Sequence, residues 1–191
     1  MSHRVGLDHA TVVEAAARLV DEEGIDQLTL GRLAECLGVR TPSLYNHVAG
    51  LPGLKRDLAL ACLRDVLDRI MRATIGKSGT EAISAFADAY RAYARATPGR
   101  YALTLQAPAP EDLELQAIAQ EIVDVLRAVL APYRLSEEEA IHAIRSLRSI
   151  VHGFSSLEAA GAFGMPVDLD ASFHWLITLF ITGLQRSIRN E

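Results

Sequence analysis

Apolar residues recur along the chain at steps of three and four, which is the spacing of one face of an α-helix. No segment shows the sustained alternation and β-branched enrichment that are typical of strands. The pattern therefore predicts an all-α protein. Capping and turn residues place helix starts near Asp8 or Thr11, at Thr29, at Thr41 and near 52, and predict later helices over about 80–96, 98–107, 111–131, 136–160 and 170–189. Ser136 and Glu139 have the spacing of a capping box at the start of the 136–160 helix.

A change in helix length along the chain predicts two domains. The first three helices are short, whereas the later ones are longer and more apolar. Gly76 and Gly79 mark a linker before that second set. We predict an N-terminal three-helix domain over residues 1–51, a linking helix over about 52–75, and a larger C-terminal helical domain over 76–191.

Composition narrows the class of protein. The chain has 191 residues, of which 50% are hydrophobic and 23% charged, so it has enough apolar surface for a buried core. A net charge of −5 argues against non-specific coating of nucleic acid or of an anionic membrane. Two cysteines and the lack of an apolar signal core or of a stretch of about 20 apolar residues predict a cytoplasmic protein with no membrane partner.

The segment from Thr29 to Val48 has the spacing of a helix-turn-helix. Ala34 is small where two helices cross, Gly38 suits a left-handed turn, and Leu44 fills the angle between the helices. The third helix, predicted over about 42–48, then projects its first turns outward. A plain three-helix corner without a binding role has the same spacing.

The outward residue types suit a DNA duplex. Tyr45 and His47 are donors for phosphate oxygens, while Arg40 and Asn46 suit guanine and adenine edges. Thr29 offers a hydroxyl at a helix N-terminus. Residues 1–57 hold six basic against eight acidic residues, but half of the acids cluster at the end of the first helix, away from these side chains.

Residues 13–39, followed by Pro42 to Val48, resemble the TetR family of one-component repressors, with the specific tetrad Leu-Tyr-x-His at 44–47. The resemblance implies a homodimer that binds an inverted-repeat operator in double-stranded DNA and releases it when a small molecule enters the C-terminal domain. Where many members have a lysine shortly after the histidine, this chain has Leu51, and Lys55 or Arg56 would replace that contact. By position, the DNA-facing set is Thr29, Arg40, Thr41, Pro42, Ser43, Tyr45, Asn46, His47 and Lys55.

The C-terminal half resembles a subclass of that family named for a Trp-His-Gly motif. Here Val151 replaces the tryptophan before His152 and Gly153, and Pro98 to Tyr101 also fit. The last helix is apolar on two faces, which predicts two packing partners: its own domain and a symmetry mate. A central helix buried in a monomer is the other interpretation.

A small, mostly apolar ligand is expected in the C-terminal body. Pockets of this kind have aromatic walls and a few polar anchors. The tyrosines also fit plain core packing, and the histidine fits a helix-packing role as well as a ligand contact. The predicted ligand-binding residues are Phe86, Tyr90, Tyr93, Tyr101, Leu105, Arg148 and His152.

No motif of an enzyme, a cofactor or a metal site is present in the sequence. Glu138 and His142 form one pair at helical spacing, but no second pair repeats it. No nucleotide-binding loop or nucleophile elbow is found. The sequence thus predicts a non-enzymatic transcriptional repressor. One alternative is a helical ligand-binding or enzyme-like domain with a non-functional helix-turn-helix, and another is an activator, which the sequence does not separate from a repressor.

Overall fold

The computed structural model describes residues 7–105 and 107–189, and every regular element in those two ranges is helical. The predicted all-α fold is confirmed. The α-helices of the described residues are α1 (His9–Glu23), α2 (Leu30–Leu37), α3 (Thr41–Leu44), α4 (Gly50–Thr74), α5 (Gly79–Ala96), α6 (Pro98–Leu103), α7 (Leu113–Leu130), α8 (Glu137–Ala159) and α9 (Leu169–Arg189).

Side-chain caps set the first residues of three helices. The Asp8 carboxylate accepts a hydrogen bond from the Thr11 backbone N–H at 2.7 Å, so α1 starts at the earlier of the two predicted positions. The Thr29 hydroxyl caps α2 as predicted. Ser136 and Glu139 form the predicted reciprocal capping box at the start of α8.

The third helix is shorter than predicted. It ends at Leu44, not at Val48, because the His47 N–H donates to the Leu44 carbonyl three residues back, at 2.9 Å, and tightens the chain into a turn. Thr41 is the first helical residue and not the cap, and Arg40 before it makes no side-chain cap bond.

The sixth helix also ends early, at Leu103 and not near position 107. Thr104 stops it, since its backbone N–H and its hydroxyl both donate to the Tyr101 carbonyl, at 3.0 and 2.8 Å. The Tyr101 carbonyl thus accepts two hydrogen bonds from Thr104, and the α-helical hydrogen-bond pattern ends there.

Packing divides the chain into two compact units. The first unit consists of residues up to 64 together with 97–115, and the second of 65–96 together with residues from 116 onward. Helices α4 and α7 each contribute residues to both units. The domain limits at positions 51 and 76 remain predictions.

The first unit has its own apolar core. Val12, Ala16, Leu33, Leu44 and Leu58 are completely buried, and they come from α1, α2, α3 and the first half of α4. Burying a leucine or valine side chain contributes about 1.5–3 kcal/mol. Because Leu44 is the only side chain of α3 that is buried, it fixes this one-turn helix to the rest of the unit.

The core of the second unit is built from α5, α8 and α9. Phe86 and Tyr93 of α5, Leu147 of α8 and Phe173 of α9 are buried. The polar side chain of Ser155 of α8 also lies in this core, with 2% exposure.

Candidate nucleic-acid interface

A tight turn between α2 and α3 presents the predicted recognition residues. Gly38 ends α2 in the left-handed conformation at φ 65°, which a side chain would disfavour. Ala34 is 2% exposed at the helix crossing. The predicted helix-turn-helix roles of Gly38, Ala34 and buried Leu44 agree with this geometry.

The residues around Leu44 form the candidate reading surface, defined as Arg40 to His47 without Leu44. Tyr45 is 61% exposed although it is a large aromatic residue, and its side chain projects outward from the unit. Arg40, Pro42 and Asn46 are exposed. Thr41, Ser43 and His47 are half-buried, whereas Thr29 and Lys55 lie on other helix starts and are exposed.

Two of the basic residues near this surface are already neutralised. Arg32 donates from Nε to Glu23 at 3.1 Å and from Nη1 to Glu35 at 3.3 Å. Its hydrogen bonds lower the pKa of Glu23 below its ordinary value, so the acidic end of α1 keeps a fixed counter-charge.

Arg56 is held in the same way. It donates from Nε and Nη2 to the two oxygens of Asp112, at 2.5 and 2.8 Å, and from Nη2 to Glu114 at 3.0 Å. These bonds lower the pKa of Asp112. Lys55 makes no ion pair with any described residue. Of Lys55 and Arg56, the two candidates to replace the missing lysine, Lys55 is therefore the one that is free to bind a phosphate.

The segment 97–115 is fixed to the first helices at its beginning. Asp21 of α1 accepts from the Arg100 backbone N–H at 3.0 Å and from Arg100 Nε at 2.6 Å. Gly99 lies against the carbonyl of Val20 so closely that an added Cβ would stand 2.0 Å from that oxygen. Sequence reasoning placed this segment in the C-terminal domain and missed the contact; the Pro98 and Gly99 pair was its only local signal.

The structure divides the predicted ligand residues between the two units. Phe86 and Tyr90 lie in the second unit, with ring centroids 5.9 Å apart, and Tyr93 is fully buried beside them on α5. Tyr101 and Leu105 belong to the first unit, so their part in a pocket remains a prediction.

The two predicted polar anchors of α8 differ in environment. His152 is half-buried, with Nδ1 3.3 Å from the Ser156 hydroxyl. Arg148 is exposed. Two surface pockets of the second unit, with volumes of about 380 and 400 Å³, are lined by none of the predicted ligand residues.

A buried arginine in the second unit escaped the sequence analysis. Arg91 is 5% exposed, and its guanidinium carbon lies 4.7 Å from the ring centre of Phe173 and 5.1 Å from that of Phe154. It binds both oxygens of Glu158 at 2.7 and 2.8 Å and Asp170 at 2.8 Å. These hydrogen bonds lower the pKa of Glu158. The sequence feature that could have revealed this site is a charged residue among the apolar positions of α5.

Two kinds of feature are not found in the described part of the chain. No group of three or more His, Cys, Asp or Glu side chains there is arranged to hold a metal ion. None of the described helices combines the length and the apolar character needed to cross a membrane.

Comparisons with known proteins agree with this geometry. The family model for a tetracycline repressor-like C-terminal domain matches residues 83–180. YobS, an uncharacterized HTH-type transcriptional regulator of Bacillus subtilis, is 35% identical over 100% of this chain and 99% of its own length. Rv0681, an HTH-type transcriptional regulator of Mycobacterium tuberculosis, is 35% identical over 94% of this chain and 83% of its own.

A solved structure shares the fold. A TetR variant from Acinetobacter baumannii AYE in complex with minocycline is similar with a TM-score of 0.68 and 24% identity, covering 96% of this chain and 99% of that chain. The closer resemblance to the Trp-His-Gly subclass remains a prediction. The helix-turn-helix geometry, the matched C-terminal domain and the full-length relatives together show that the chain belongs to the TetR family of ligand-responsive, DNA-binding transcriptional regulators.

Proposed function

We propose that the chain is a repressor that reads an inverted-repeat operator with two copies of the surface around Leu44. The observation that carries the proposal is a turn of seven exposed or half-buried residues, Arg40 to His47 without Leu44, which the buried Leu44 fixes to the core. Each copy would enter a major groove, as recognition helices of helix-turn-helix dimers do. Its contacts are the predicted set: Thr29, Arg40, Thr41, Pro42, Ser43, Tyr45, Asn46, His47 and Lys55.

The charge distribution supports a reading surface of this kind despite the net charge of the chain. Arg32 and Arg56 are taken up by carboxylates of the first unit, while Arg40 and Lys55 are exposed and make no ion pair with any described residue. Phosphate contacts of free cations position a protein on DNA, and side chains such as Arg40 and Asn46 read base edges.

A ligand is proposed to bind in the second unit beside Phe86, Tyr90 and Tyr93, with His152 as a polar partner. The buried aromatic cluster supports a small, mostly apolar molecule. Because α4 contributes residues to both units, we propose that it transmits the binding event. To weaken operator binding tenfold, the ligand must prefer the released state by about 1.4 kcal/mol.

The repressor is proposed to act as a homodimer, in the cytoplasm and without enzymatic activity. Support for the dimer comes from α9, whose Phe173 and Ile177 face is buried whereas Trp175 and Leu179 are exposed. A second apolar face needs a second partner, and a symmetry mate supplies one.

Fluorescence anisotropy with the intergenic DNA upstream of the chain's own gene, across a salt series, tests the proposal. We expect specific binding that weakens steeply with salt. Tyr45→Ala should weaken it about 5- to 150-fold, through a loss of one anchoring contact of roughly 1–3 kcal/mol. Lys55→Ala should weaken binding for all sequences and reduce the salt slope by about one.

The chain offers a matched control for the lysine variant. Lys77 is its only other lysine, is exposed and lies in the second unit, so Lys77→Ala should bind like the unmodified protein. Equal binding by the Tyr45→Ala protein would remove this residue from the reading surface. A dimer without specific DNA binding at low salt would favour the helical ligand-binding alternative.

A further inference from the structure

The outward face of α9 combines a large projection with a gap. Trp175 is 67% exposed and Leu179 is 48% exposed. One turn further on, Gly183 is exposed, and an added Cβ there would meet no atom within 4 Å. A tryptophan and a bare glycine on one helix face give that face a knob and a hole.

The hole is the floor of a groove. A pocket of about 380 Å³ opens over Gly183 between α8 and α9, with Leu179 and Phe180 on its apolar side. Glu139, His142 and Ser146 of α8 supply polar atoms along the other side. The groove has an apolar floor for a ring and hydrogen-bond acceptors for a ring N–H, and a buried indole needs both.

The spacing of the two features is self-complementary. Trp175 lies four residues before Leu179, and Gly183 lies four residues after it. With a rise of about 1.5 Å per residue, each stands roughly 6 Å along the helix from Leu179. In a twofold pair of antiparallel α9 helices that cross at Leu179, the knob of each copy comes to the level of the other copy's hole.

The charges at the ends of α9 favour the same antiparallel arrangement. Asp168 and Asp170 lie at its start; Asp168 makes no ion pair with any described residue, and the Asp170 side chain, which pairs with Arg91, is still 66% exposed. Arg186 is exposed near its end. An antiparallel pair brings each Arg186 towards the acidic start of the partner helix, whereas a parallel pair would place like charges together.

We propose that the dimer is locked by reciprocal insertion, in which Trp175 of each protomer fills the groove over Gly183 of its partner. The occupant of the groove is therefore a second copy of this chain. The inference rests on the proposed homodimer and adds to it the residues that decide its register and strength. Glu139 and Ser146 are the acceptors within the groove for the indole N–H.

Trp175 is the only tryptophan in the chain, so its fluorescence reports on this contact alone. We expect the emission of the full-length protein to shift to shorter wavelength, and its quenching by acrylamide to fall, as concentration rises through the dimer dissociation constant. Sedimentation velocity over the same concentrations gives that constant independently.

Gly183→Leu fills the hole with a side chain whose Cβ meets no atom of its own protomer within 4 Å. It should raise the dimer dissociation constant at least about thirtyfold, the scale of an aromatic hot spot. Trp175→Ala, at a residue that is exposed within its own protomer, should do the same. Gln185→Leu places the same leucine side chain at an exposed position of α9 that does not line the groove, and should leave the constant unchanged.

The outcomes separate this inference from the proposed function. A dimer that binds operator DNA while Trp175 stays fully open to acrylamide would overturn the insertion and leave the repressor standing. An unchanged dimer in the Gly183→Leu protein would overturn it as well. A chain that neither dimerises nor binds operator DNA would overturn both proposals.

Discussion

The candidate functional side chains are exposed in the first unit and buried in the second. In the first unit, the candidate DNA contacts are the side chains that the core leaves outside, such as Tyr45 and Asn46. In the second unit, the candidate ligand contacts are core residues themselves, and Phe86 and Tyr93 are 1% and 0% exposed. Substitutions of the first kind test binding directly, whereas those of the second kind also test folding.

The polar interactions of the two units differ in the same way. The Arg32 pair with Glu23 in the first unit is partly open to solvent, with side chains 43% and 32% exposed. The Arg91 pair with Glu158 in the second unit is enclosed, at 6% and 11%. Solvent-exposed pairs contribute little to stability, but removing one partner of an enclosed pair leaves a buried charge.

The largest expected effect is therefore in the second unit. Glu158→Ala leaves the Arg91 guanidinium between two aromatic rings with Asp170, whose side chain is 66% exposed, as its carboxylate partner. It should lower the free energy of unfolding by about 3–5 kcal/mol, measured by urea denaturation. Glu23→Ala, the matched variant of the exposed pair, should change it far less, and similar losses in both would contradict the contrast.

Alanine substitution of one glycine in each unit should change the stability of the protein in opposite directions. Gly99→Ala drives a Cβ into the Val20 carbonyl and should destabilise the protein by about 1–3 kcal/mol, as overpacking does. Gly153→Ala, inside α8 with nothing within 4 Å, should leave stability unchanged or raise it by up to about 1 kcal/mol through helix propensity. Thermal unfolding measures both, and a neutral Gly99→Ala would show that α6 is not held closely against α1.

The smallest expected effect concerns a hydroxyl in the second core. The Ser155 Oγ is buried and finds no hydrogen-bond partner among the described residues. Ser155→Ala should therefore stabilise the protein by about 1 kcal/mol, because it removes an unsatisfied polar atom. Ser149→Ala at an exposed position of the same helix is the control. A loss of stability on Ser155→Ala would show that the hydroxyl makes a favourable contact.

Local signals explain what could be predicted from the sequence. The caps at Thr29 and Ser136 and the left-handed turn at Gly38 involve neighbours within four residues, and all were identified correctly. The end of α3 was missed although Leu44 and Val48 have helical spacing. The backbone N–H groups of His47 and Val48 both donate to the Leu44 carbonyl, so the turn keeps Leu44 and Val48 on the same side although the helix has ended.

Long-range contacts could not be derived in this way. Arg91 meets Glu158 and Asp170 across 67 and 79 positions, and Arg100 meets Asp21 across 79. Periodicity shows which face of a helix is apolar, but it does not show which partner a charged residue on that face will find. Nor did periodicity show that Tyr101, a predicted ligand contact, belongs to the unit that contains the reading surface; its part in a ligand pocket remains a prediction.

The single anchor of α3 makes the operator preference of this regulator easy to exchange. Between Arg40 and Val48, only Leu44 and Val48 are buried. The remaining seven positions form a cassette that a library can vary while both anchors are kept. Selection of such a library against new operators would then alter recognition without redesign of the scaffold that folds beneath it.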